Sequence, residues 1–152
     1  MEDHADVVGR PPAVALAALI TGVILHLVVP VEIVPDFATW VVGVPLAVVA
    51  LALFALALRE FRKYGTPVRG TEPVTTIVAT GPYRFSRNPI YLSFVLLHLG
   101  IAATANSAWI LLAVIPTLMY LSFGVIVREE GYLARKFGEQ YLRYKASVRR
   151  WI

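Results

Sequence analysis

The sequence predicts an all-α integral membrane protein. It has four transmembrane helices, the third and fourth forming a helical hairpin, and a C-terminal amphipathic helix on the cytoplasmic side. Three observations carry this expectation. The 152-residue chain is 58% hydrophobic with a mean hydropathy of +0.69, against about 45–50% apolar residues in a soluble domain. The excess lies in four long apolar runs. All 14 Lys and Arg residues fall outside those runs.

Residues 1–12 are short and polar, without the basic start and small-residue cleavage pattern of a signal peptide. The first span is expected over about 13–34. It is apolar to Val29 and lengthened by Val31, Ile33 and Val34, while Pro30, Glu32, Pro35 and Asp36 mark a breaking acidic turn. The second span, about 38–58, has Trp40 at the interfacial belt and Pro45 as an expected kink. It ends at Arg59-Glu60-Phe61-Arg62-Lys63, and residues 64–80, rich in Gly, Pro and Thr, read as an ordered loop. The third span covers about 89–105. Asn106-Ser107 makes a break short enough to force a hairpin into the fourth span, 108–127, where Pro116 is expected to kink the helix. Beyond Arg128, Leu133, Phe137, Tyr141, Tyr144 and Val148 recur at helical spacing, with the basic residues largely elsewhere. This predicts an interfacial helix over about 129–147. The whole chain, 1–152, reads as a single domain.

Four spans place both termini on one side. Arg10, the basic group from Arg59 to Arg87 and the group from Arg128 to Arg150 then share that side, while Glu32 and Asp36 face the other. The positive-inside rule makes the basic side cytoplasmic. The net charge of +4 is therefore accounted for by topology and by contact with anionic lipid of the bilayer, so no nucleic-acid partner is expected. The chain has no cysteine, which excludes disulfides, thiolate metal sites and cysteine nucleophiles, and no metal site is expected. Oligomeric state is left open.

Two polar clusters interrupt the apolar runs. Residues 80–91 hold Gly81, Pro82, Tyr83, Arg84, Arg87, Asn88, Pro89 and Tyr91. Asn is a good N-cap and Pro is favoured at the first helical position, so the third helix is expected to start at Asn88-Pro89. Its free backbone donors, with Arg84 and Arg87 nearby, suit a carboxylate or phosphate. The second cluster, Arg128-Glu129-Glu130, follows the fourth run. Two Glu at a helix C-terminus oppose its dipole. Either a cationic or hydroxyl-rich ligand or pairing with Arg84, Arg87 or Arg128 would offset this. Topology determinants with ion-pair partners, and belt aromatics in Tyr83 and Tyr91, are the alternatives to a site. His26 and His98 lie inside apolar runs, where ionisable residues are functional suspects or bond to a neighbouring helix.

These residues carry a resemblance. Gly81, Tyr83, Arg87-Asn88-Pro89, Tyr91 and Gly100 resemble the signature of the isoprenylcysteine carboxyl methyltransferases and of the related small phospholipid N-methyltransferases. Asn106, Glu129-Glu130, Leu133, Phe137-Gly138, Tyr141, Tyr144 and Val148 continue it through the last half of the chain. Asn88 stands where the family has His, Ser93 where it has Gly, and Arg128 adjoins the Glu pair instead of preceding it by several residues.

The resemblance implies an S-adenosylmethionine-dependent methyltransferase acting on a lipid-like or prenylated acceptor, by carboxyl O-methylation or phospholipid amine N-methylation. It implies cofactor contacts from Gly81, Tyr83, Arg84, Arg87, Asn88, Pro89, Tyr91, Glu129 and Glu130. It gives Glu129 a base role towards an amine, and Arg128 or Arg143 the holding of an anionic substrate head, with the tail entering past His98. One rival is a sterol-reductase-like NADPH enzyme, whose similar motif has Asn after the Pro and Cys after the Glu pair; here Ile90 follows Pro89 and Gly131 follows Glu130. The other is a non-enzymatic four-helix membrane protein.

Overall fold

The computed structural model describes residues 9–67 and 73–152, with the backbone alone at 36–38. Among the described residues every regular element is helical. Helix α1 spans Pro11–Val28, α2 Asp36–Lys63, α3 Pro89–Thr104 and α4 Ala108–Met119. A π-helical segment, Tyr120–Ile126, leads from α4 into α5, Val127–Phe137, and α6 covers Glu139–Ser147. A 3₁₀ turn, Gly81–Arg84, precedes α3. By length and composition three helical stretches can cross a membrane: Pro11–Val28, Thr39–Lys63 and the continuous Ala108–Phe137. The apolar helix Pro89–Thr104 is shorter, at 16 residues.

Three boundaries differ from the sequence expectation. The first helix stops at Val28 and does not run on to Val34. Pro30 offers no backbone donor and pushes Val29 out of the helical region, to φ −136°, ψ 88°. The second helix continues past Leu58 to Lys63. The expected interfacial helix over 129–147 is two helices. The first, α5, prolongs the fourth apolar run without a break, and the division falls at Gly138, at φ +51°, ψ −129°. That region is essentially reserved for glycine.

The helices pack α2 on α3, α1 on α4 and α3 on α4. Small residues allow the close approaches. A Cβ added at Gly100 would lie 2.8 Å from the Ala47 backbone nitrogen, and one at Gly22 would lie 2.9 Å from the Ile110 Cα. Lipid tails are as apolar as Leu, so helices in a bilayer associate through such contacts and through interhelical hydrogen bonds. Large side chains on α1 and α2 point outward: Leu27 is 76% exposed and Val41 73%. An outer surface of this kind suits lipid, not water. The main apolar core joins α3, α4 and the π segment through Val95, Val114, Leu121 and Val125, with Trp151 of the C-terminal segment packed against it.

One end of the bundle is closed by Asn106. Its Oδ1 accepts from the backbone N–H groups of Ile33 (2.9 Å) and Val34 (3.1 Å), and its Nδ2 donates to the Val34 carbonyl (2.8 Å). The Ala108 N–H donates to the Val31 carbonyl, and the Trp109 indole to that of Val29. Asn106 does this at φ +49°, a conformation that Asn tolerates better than other side chains. Asn106→Ala is expected to lower stability by roughly 2–3 kcal/mol, from unsatisfied backbone groups and left-handed strain. Asn106→Asp, which still accepts from both N–H groups, should lose less. Thermal unfolding in detergent measures both.

Candidate functional site

The opposite end of the bundle gathers the two polar clusters. The 3₁₀ turn seats on the end of α2: Thr80 Oγ1 donates to Glu60 Oε2, and a Cβ at Gly81 would come within 2.8 Å of Glu60 Cγ. Tyr83 is thereby turned inward, buried against Ala57, Val78 and Phe61. Its carbonyl accepts from the Tyr144 hydroxyl at 2.8 Å, so α6 is tied to the turn. Burial first, then repulsion between its phenolate form and that of the neighbouring Tyr144, holds the Tyr83 hydroxyl far above its ordinary pKa. Burial, then the same coupling to Tyr141, does so for Tyr144. Both are neutral hydroxyls at neutral pH and cannot serve as phenolate bases.

Asn88 occupies the N-cap position of α3, with Pro89 at the first turn, as expected, but its side chain makes no cap. The correction has a clear cause. The residues after α6 return along the loop, and Asn88 Nδ2 donates instead to the Arg150 carbonyl at 3.0 Å. Ser86 Oγ donates to the same carbonyl at 3.3 Å, and the Arg87 N–H donates to the Arg149 carbonyl at 2.9 Å.

Glu129 and Glu130 differ sharply. The buried Glu130 carboxylate is held by three cations. Arg150 grips it through Nε (3.0 Å) and Nη2 (2.9 Å), Lys145 reaches Oε2 at 3.1 Å and Arg87 Nη2 reaches Oε1 at 3.2 Å. Glu129 accepts from the Tyr91 hydroxyl at 2.6 Å, and among the described residues no cation pairs with it. Two donors of Arg87, Nε and Nη1, are buried without a hydrogen-bond partner among the described residues.

These groups line one cavity of about 620 Å³, a volume in the range of small-molecule sites. Its polar wall includes Tyr83, Arg87, Asn88, Tyr91, Glu129 and Glu130, and its apolar wall Phe54, Ile90, Phe94 and Leu133. The first turn of α1 and the preceding Gly9 and Arg10 close one side. Of the other residues singled out in the sequence, Pro89 is buried at the start of α3 and Gly81 abuts Glu60. Arg84, Arg128 and Arg143 are exposed and do not line the cavity. His98 is buried beside a smaller void of about 100 Å³ that shares Pro12 and Phe94 with the main cavity. The sequence reading missed the Phe54 and Phe94 wall, the Glu60 seat and the part of Lys145 and Arg150 in the Glu130 cluster. Nothing in the spacing links Arg150 to a Glu twenty residues earlier; the link exists only after Gly138 turns the chain back.

Fold and cavity define a class: an all-helical protein apolar enough for a membrane, with a ligand-sized polar cavity at one end. The family model for phospholipid methyltransferases matches residues 38–140, more than half of the chain, and the chain belongs to that family. With the family come methyl transfer as the class of activity, a membrane setting, and S-adenosylmethionine as the methyl donor such enzymes typically use. An uncharacterised protein of Haemophilus influenzae is 40% identical over 63 residues, which cover 41% of this chain and all of that one. No solved structure matches the chain.

The turn that brings α6 back to the site gives a direct test. Gly138→Ala is expected to destabilise by about 1–3 kcal/mol, because its backbone conformation excludes a Cβ. Gly131→Ala, inside α5, where an added Cβ would meet the flexible Arg135 side chain at an ordinary 3.5 Å, is expected to stabilise by about 0.5–1 kcal/mol through helix propensity. Thermal or denaturant unfolding of the two variants should move in opposite directions.

Proposed function

We propose that the chain transfers a methyl group from S-adenosylmethionine to a lipid-like or prenylated acceptor at the cytoplasmic membrane face. The observation that carries this reading is complementary free capacity across one cavity. Among the described residues, Arg87 has two buried donors without a partner, and Glu129 is a carboxylate without a cation. The donor set fits the amino-acid end of the cofactor: Arg87 would hold its carboxylate, and Glu129 its ammonium or ribose hydroxyls. Tyr91 fixes the orientation of Glu129 through its hydroxyl.

S-adenosylmethionine, when bound, supplies a methyl group already activated by its sulfonium. The remaining work of the protein is alignment and exclusion of water. Phe54, Ile90 and Phe94 give the cavity an apolar wall on the side of α2 and α3, suited to an acceptor with a hydrocarbon tail. A carboxylate acceptor is ready at neutral pH. An amine acceptor must first lose a proton, and Glu129 is the cavity carboxylate with capacity to take it.

The same reading gives four spans in one domain, with both termini cytoplasmic. It is supported by the absence of Lys and Arg from the connections at residues 29–37 and 105–107, of which the first carries Glu32 and Asp36, while the remaining connection and the two ends hold all 14. At 16 residues, α3 is roughly 24 Å long, short of a bilayer core of about 30 Å. Packing between α2 and α4 shields it from lipid, where a short crossing is tolerated.

The test is incubation of detergent-solubilised protein with radiolabelled S-adenosylmethionine and total membrane lipid. Label is expected in the lipid fraction, and its lability to base separates a methyl ester from an N-methyl product. Glu129→Gln should weaken cofactor binding by about tenfold or more, the worth of one charge-assisted hydrogen bond. NADPH binding in place of S-adenosylmethionine binding, or no labelled lipid from any membrane source, would overturn the reading.

A further inference from the structure

The Glu130 cluster holds more cation than one carboxylate can satisfy. Arg150 has the fork on Glu130, with Nε at 3.0 Å and Nη2 at 2.9 Å, one on each oxygen. Lys145 adds a contact at 3.1 Å. Arg87 has one contact with Glu130, Nη2 at 3.2 Å, lies near the Tyr141 hydroxyl, and has a side chain only 9% exposed. A guanidinium offered a free carboxylate prefers to grip it with two parallel donors. Arg87 is denied that geometry because Arg150 already has it, which leaves Arg87 Nε and Nη1 buried, unpaired among the described residues and beside the cavity.

We propose that Arg150 is a positioning residue, which occupies the bidentate place on Glu130 and so keeps two Arg87 donors available to an anionic group in the cavity. This rests on the reading of the cavity as the cofactor site, with Arg87 facing the cofactor carboxylate. The backbone around Arg150 serves the same end. Its carbonyl accepts from Asn88 and Ser86, the Arg149 carbonyl accepts from the Arg87 N–H, and Trp151 packs into the core of α3 and α4. The C-terminal segment thus fixes the Arg87 backbone while the Arg150 side chain limits where the Arg87 side chain can go. Without Arg150, Arg87 is expected to swing into the vacated fork and withdraw from the ligand.

The experiment measures equilibrium binding of radiolabelled S-adenosylmethionine to the full chain in detergent, for wild type, Arg150→Ala, Arg150→Lys and the double variant Glu130→Gln/Arg150→Ala. Arg150→Ala should bind at least about tenfold more weakly than wild type. Arg150→Lys should fall between them, since an ammonium makes a point contact and not a fork. The double variant should bind more tightly than Arg150→Ala, because a neutral amide at position 130 no longer captures Arg87. A merely structural tether predicts the reverse, as the double variant loses still more of the cluster. Equal binding by wild type and Arg150→Ala, or a double variant no tighter than Arg150→Ala, overturns the proposal while leaving the cofactor reading in place. Absence of binding to wild type overturns both.

Discussion

The cavity end of this protein depends on one buried carboxylate. Glu130 is too enclosed to be left as a lone charge, since an unpaired buried ion costs several kcal/mol on the order of its lost hydration. Its cations come from distant parts of the chain: Arg87 from the loop before α3, Lys145 from α6 and Arg150 from the segment beyond it. Satisfying Glu130 therefore requires the chain to turn back at Gly138 and lay its last residues along the loop. Once there, those residues supply carbonyls to Ser86, Arg87 and Asn88 and a Trp to the core. A buried ion cluster of this kind is weak evidence of stability in itself; here its consequence is geometric. It sets the loop against α5 and leaves Glu129, one residue earlier, lining the cavity with a hydrogen bond from Tyr91 and no paired cation among the described residues.

Between the two polar ends the bundle has little specific chemistry. Gly22, Gly43 and Gly100 let backbones meet where a side chain would hold them apart, and Asn106 ties the α1–α2 connection to the α3–α4 turn. Apolar matching gives no preferred arrangement in lipid, so close contacts and polar clamps at the ends select one. Asn106 and Glu130 thus do related work at opposite ends. Asn106 is neutral and bonds to the backbone. Glu130 is charged and surrounded by excess cation, with two Arg87 donors left without a hydrogen-bond partner among the described residues.

Much of this was legible in the sequence. The apolar runs located all four long helices, Asn88-Pro89 marked the start of α3, and six of the residues singled out, Tyr83, Arg87, Asn88, Tyr91, Glu129 and Glu130, line one cavity. The failures have physical causes. Composition extended the first span through Val31 to Val34, but the backbone restriction at Pro30 ended it sooner. Helical spacing carried the amphipathic pattern straight across Gly138, because periodicity is blind to a single glycine in a conformation closed to other residues. The π segment Tyr120–Ile126, four residues after Pro116, leaves no mark in hydropathy. The roles of Glu129 and Glu130 could not be separated either. Adjacent identical residues differ only in what the fold places beside them.

Asn88 shows how far a side chain's role can lie from the reason it attracts notice. In the related signature this position is His, so its replacement reads as the loss of a titratable group. In the fold the side chain spends its N–H on the Arg150 carbonyl, a bond that needs a donor and no proton exchange. Asn and a neutral His both carry such a donor. Fastening the C-terminal segment is therefore compatible with either residue, and Asn performs it without a charge that would compete with Arg87 and Arg150 for Glu130. What the replacement removes is a titratable side chain beside the cavity. Tyr83 and Tyr144 are held neutral by burial, and Glu130 is committed to three cations. Glu129 is left as the cavity carboxylate that pairs with no cation among the described residues and accepts from Tyr91.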